Sequence, residues 1–115
     1  MAIITVQSIM EEGIPAPTRT AAAAEGDTWE NSGNEFVEFQ NGGEASVVVT
    51  FTALITAFDS PTYGPATKSS RTITVAAGLT SLIGPFVASA FNDENGYCSM
   101  TYSSVASLTV AIFTF

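Results

Sequence analysis

The sequence has no histidine, one cysteine and three basic side chains, Arg19, Lys68 and Arg71. Without histidine there is no Ser-His-Asp or Cys-His nucleophile system and no histidine metal site. A single cysteine, Cys98, makes neither an internal disulfide nor a Cys-rich zinc cluster. Three dispersed basic residues against eleven acidic ones leave a net charge of −8. Such a chain cannot neutralise a phosphate backbone, which sets nucleic acid aside as a partner. No apolar run reaches about 18 residues, so no membrane span is expected. The start, Met1 to Gln7, lacks a basic region and a long apolar stretch, so no signal peptide is expected. Charged residues are only 12% of the chain, about half the usual share, and serine and threonine take their place. The 115 residues fit one domain, 1–115, with enough core to fold without staples.

What is present is period-two alternation broken by turn residues. Residues 3–9 read as a strand, with Ile4 and Val6 on one face. Residues 11–19 follow, with Pro15 and Pro17 removing backbone donors. They read as either an ordered surface loop or an extended arm lying across a neighbour. Ala21–Ala24 suits a single helical turn or a short edge strand. Asp27–Asn34 is rich in turn formers and reads as a loop carrying Trp29, the only tryptophan. Trp29 either caps the core or anchors an interface. Glu35–Gln40 is a short strand, and Asn41-Gly42 after it is a strong hairpin signal. From Ala45 to Ala57, Val47, Val49, Phe51, Ala53 and Ile55 form an apolar face against a Thr-rich one. Asp59–Ser70 reads as a long loop with Tyr63 and Lys68 as contact candidates.

Further strands are expected at 71–75, with Ile73 and Val75 inward, and at 79–83. Gly84-Pro85-Phe86 ends the latter. Residues 87–91 read as a short strand or an irregular crossing, and Asn92–Gly96 as a turn. Tyr97–Tyr102 places Cys98, Met100 and Tyr102 on one face. The last strand, 105–115, is apolar on both faces, which suits a central position or a face covered by a partner. Seven to nine strands between Gly, Pro and Asn turns predict an all-β fold, a single antiparallel β-sandwich, jelly-roll or Ig-like.

No constellation assembles chemistry. Asn92–Gly96 offers oxygen ligands but lacks EF-hand spacing, so it reads as a turn and no metal is expected. A paired-carboxylate glycosidase would need an aromatic-walled cleft that is hard to build here. Cys98 has no basic neighbour in sequence to activate it and reads as core. No catalytic residue and no cofactor are expected.

Three stretches together carry a resemblance: Asn41–Thr50, Thr72–Phe86, and Phe91–Gly96 with Tyr102–Ala111. They resemble small β-sandwich structural proteins of tailed bacteriophages, the capsid decoration or cement proteins. The resemblance spans roughly residues 27–111. It implies a virion structural protein made in the host cytoplasm and placed on the capsid surface. It implies the major capsid protein as partner, with self-association, often as trimers. Ile14, Pro15, Pro17, Arg19, Trp29, Tyr63 and Lys68 are the expected contact residues, because they lie in the irregular segments. The alternatives are a carbohydrate- or host-surface-binding module of a tail or fibre, and a head-tail connector or tail-tube subunit.

Overall fold

The structure is a computed structural model that describes residues 2–14, 17–53, 57–60, 64–67 and 70–114, with the backbone alone at 57–60 and 64–67. The strands are β1 (Ala2–Ile3), β2 (Val6–Ser8), β3 (Thr20–Ala21), β4 (Asp27–Glu30), β5 (Phe36–Asn41), β6 (Val47–Phe51), β7 (Ala57–Ser60), β8 (Gly64–Thr67), β9 (Arg71–Val75), β10 (Thr80–Ile83), β11 (Tyr97–Tyr102) and β12 (Leu108–Thr114). One helical turn, α1 (Ala88–Phe91), precedes β11.

Two five-stranded sheets form the body. The first runs β1-β4-β11-β6-β9; the second runs β10-β5-β12-β2, with β3 also on β12. Take β2, β4, β5, β6, β9, β10, β11 and β12 as strands one to eight. The first sheet then orders second-seventh-fourth-fifth and the second sixth-third-eighth-first. That is the strand order of a jelly roll. The purely antiparallel expectation needs one correction. β1 lies parallel to β4, and β2 lies parallel to β12. The cause is the N-terminal run, which continues in one direction while passing from the first sheet to the second, with Ile4 buried at the crossing.

The alternation read from the sequence sets the core. Val47, Val49 and Phe51 point inward from β6 while Val48 stays exposed. Val37 and Phe39 of β5 and Val110 and Ile112 of β12 meet them from the second sheet. The Phe39 and Phe51 rings stand 6.1 Å apart across the sandwich. Cys98 and Met100 are wholly buried on the same face of β11. β12 is central, as its two apolar faces suggested, with β5 on one edge and β2 and β3 on the other.

Several local expectations are overturned. Asp27–Glu30 is a strand rather than a loop, paired on both edges. Thr28 and Trp29 are strand formers, and burying the indole outweighs the turn preference of their neighbours. The turn is left to residues 31–35, where the Glu35 carboxylate accepts from the Ser32 N–H at 2.6 Å. Asn41-Gly42 closes no hairpin, because β5 and β6 belong to different sheets. The expected loop 59–70 contributes Asp59–Ser60 and Gly64–Thr67 to an antiparallel hairpin, β7-β8. Residues 88–91 form α1, in keeping with the helix preference of Ala88 and Ala90.

Candidate functional site

The outer face of the second sheet is where the structure gathers apolar surface. Alternation turns Phe36 and Glu38 of β5, Ala111 and Phe113 of β12, and Leu82 of β10 to that face. The register sets Phe113 opposite Phe36, and Ala111 and Leu82 on either side of Glu38. The Phe36 and Phe113 rings lie 5.6 Å apart. Leu82 is 59% exposed.

The segment after β2 returns over this face. The Ile9 N–H continues the ladder to the Thr114 carbonyl at 2.7 Å, and the chain turns at Met10–Gly13 with Gly13 at φ 80°. Two clamps then hold it down. The Gln7 side-chain amide donates to the Thr18 carbonyl at 2.7 Å and accepts from the Thr18 N–H at 2.8 Å. Arg19 Nε donates to Glu38 Oε1 at 2.8 Å, in a partly exposed ion pair. Such a pair adds register more than stability. Between the segment and the sheet lies a groove of about 280 Å³, lined by Ile9, Ile14, Pro17, Phe36, Leu82 and Phe113, with Arg19 and Glu38 among its walls.

Three expected contact residues, Ile14, Pro17 and Arg19, therefore come together. Their described residues lie over the second sheet of their own chain. Trp29, read as either a core cap or an interface anchor, sits in the core. It is wholly buried, in edge-to-face contact with Phe51 at 5.9 Å and Phe86 at 5.6 Å. An indole with no exposed surface cannot anchor an interface, so Trp29 belongs to the core. Pro15, Tyr63 and Lys68 lie outside the described residues. Phe113 has a sequence signal, the two-sided apolarity of the last strand, whereas Phe36 and Leu82 have none of their own.

The buried polar groups are committed to structure. Asp27 is wholly buried, and its Oδ2 accepts from the Tyr102 hydroxyl at 2.6 Å and the Ala23 N–H at 3.1 Å. Asp27 Oδ1 and Trp29 Nε1 are buried without a partner among the described residues. The Tyr102 hydroxyl is pushed well above its ordinary value, first by burial and then by the Asp27 hydrogen bond and charge. Burial pushes the Cys98 thiol up to about 12, so it stays protonated and unreactive at neutral pH. Asp93 Oδ1 is occupied by the N–H groups of Asn95 and Tyr97, at 2.8 and 3.0 Å. Among the described residues no three acidic or cysteine side chains gather as metal ligands would. Among the described residues, the groove over the second sheet has the character of a contact site.

Comparison with known protein families, with curated proteins and with solved structures finds no match to this chain in any of the three.

Proposed function

We propose that this protein works by adhesion, as a virion structural protein that binds a phage capsid surface and stabilises it. The major capsid protein is the proposed partner and the capsid surface the proposed location. The observation that carries this reading is the groove between the 9–19 segment and the second sheet. It is apolar, holds the half-buried Phe36 and the exposed Leu82, and is framed by a loop clamped at Gln7 and Arg19. A preformed apolar groove with one charged pair at its rim suits a protein surface better than a polar substrate. The phage resemblance in sequence supplies the choice of partner. The glycan-binding alternative loses its tryptophan to the core.

The test is co-sedimentation of the pure chain with capsids of the major capsid protein from the same genome. The same capsids are then heated with and without it. The wild type is expected to co-sediment and to raise heat resistance. Ile14→Asp, which sets a carboxylate in the groove, is expected to weaken binding by about tenfold or more, a loss of roughly 1.4 kcal/mol. No co-sedimentation and equal heat resistance would reject the reading.

A further inference from the structure

The outer strands of the two sheets are not guarded alike. An open strand edge is a template for another chain, and proteins blunt it with charge, proline, bulges or shortness. β1, β2 and β3 are two or three residues long. β9 begins with Arg71, whose guanidinium donates to the Pro85 carbonyl at 3.0 Å and lies over the Phe86 ring at 4.8 Å. β10 has none of these devices. It reads Thr-Ser-Leu-Ile, with no proline and no charge, and it ends the second sheet. From Thr72 to Asn92 the chain carries no charged side chain at all. Leu79 and Leu82 are each 59% exposed.

The direction of the free backbone groups follows from one bond. In an antiparallel ladder the N–H and C=O of one residue point to the same side, and successive residues alternate. The Asn41 N–H bonds the Leu79 carbonyl at 3.0 Å. Leu79, Ser81 and Ile83 therefore face β5, and Thr80 and Leu82 turn their backbone groups to the open edge.

We propose that two copies of this chain pair through antiparallel β10 edges about a two-fold axis at Leu82. Leu82 then exchanges N–H···O=C bonds with Leu82 of the second copy, and Thr80 faces Gly84 of the second copy. Residues directly opposite share a face, so both exposed Leu82 side chains meet on the outer face and the two second sheets become one. A two-fold interface must be complementary to itself. In a chain of net charge −8, most surface would bring like charges together. This uncharged strip does not, which is why the occupant is a second copy. The inference rests on strand geometry and needs no capsid.

Light scattering and sedimentation of the pure chain at micromolar concentration are expected to give twice its 12.0 kDa mass. Thr80→Pro removes a donor that faces the open edge and spares the β5 ladder. Leu82→Lys sets two ammonium groups on the axis. Each is expected to raise the dimer dissociation constant at least tenfold, with an unchanged circular dichroism spectrum. Val48→Lys on the first sheet and Ile14→Asp in the groove are expected to leave the dimer intact, so a failed dimer and a failed capsid contact are told apart. Amide exchange of the unaltered chain gives a reading free of folding defects. Thr80 and Leu82 N–H protection is expected to rise with concentration. A monomer at all concentrations, a dimer insensitive to both edge variants, or a dimer with both amides unprotected overturns the proposal.

Discussion

Asn41 is buried at the point where the chain leaves the second sheet for the first, and its whole side chain is used. Nδ2 donates to the Ala45 carbonyl at 2.8 Å and the Val75 carbonyl at 3.0 Å, and Oδ1 accepts from the Gly43 N–H at 3.0 Å. Val75 ends β9, so one side chain ties the end of β5 to the neighbouring sheet. Asn41→Ala leaves two carbonyls and one N–H without that partner. A loss of about 2–3 kcal/mol is expected in urea unfolding, the cost of stranded buried polar groups. A loss under about 0.5 kcal/mol would show that solvent replaces these bonds. This residue also shows how far local chemistry could be read. Asn41-Gly42 correctly signals a bend. It does not say whether the bend joins two strands of one sheet or arches between sheets. That choice is made by β10 and β12, both distant in sequence, which take the two edges of β5 that a hairpin partner would need.

At the scale of elements, strand faces were legible and strand neighbours were not. The inward sets of β6 and β11 follow from period two alone, because one face is buried whatever lies beside the strand. Pairing depends on long-range burial, which is why Trp29 moved from a loop into β4. The groove was legible only in part. Ile14, Pro17 and Arg19 stood out as irregular chain, whereas Leu82 and Phe36 are ordinary outward strand positions until the register sets them together. The stretch 84–91 is the clearest case of an element the sequence concealed. It reads as a strand end at 84–86 and a short strand or irregular crossing at 87–91, yet it delivers Phe86 as a plug. The Phe86 ring lies 4.4 Å from Phe51, 5.6 Å from Trp29 and 5.2 Å from Phe91, fully buried. Gly84 permits this path, since a Cβ there would stand 2.8 Å from the Glu35 carbonyl oxygen and 2.9 Å from Phe36 Cα. Phe86→Ala is expected to cost about 3–5 kcal/mol in urea unfolding, and Phe86→Leu under about 2 kcal/mol. The near-ultraviolet dichroism of Trp29 should weaken with the first. A small loss for Phe86→Ala with an unaltered tryptophan signal would remove the segment from the core's energetics.

For the whole molecule, the missing histidines and the low pI of about 4.1 shape the response to pH. No side chain has an ordinary pKa between the carboxylates and the thiol, so stability is expected to be level from about pH 6 to 8. The alkaline side differs because two acids are buried in neutral form. In the unfolded chain Cys98 releases its proton near its ordinary value of 9.0, while the folded chain holds it to about 12. Between those values the unfolded state binds fewer protons than the folded one. Rising pH therefore favours unfolding, at up to about 1.4 kcal/mol per pH unit for one such group. Tyr102, ordinarily titrating near 10.0 and raised when folded, adds a second contribution of the same sign above that pH. Mutual repulsion within a chain already at −8 acts in the same direction. Urea unfolding across this range is expected to show the loss begin near pH 9 and steepen above 10. Cys98→Ala is expected to flatten the part between 9 and 10, and Tyr102→Phe the part above it. An unchanged slope in Cys98→Ala between pH 9 and 10 would mean that the whole-molecule charge, and not the buried thiol, sets the alkaline limit.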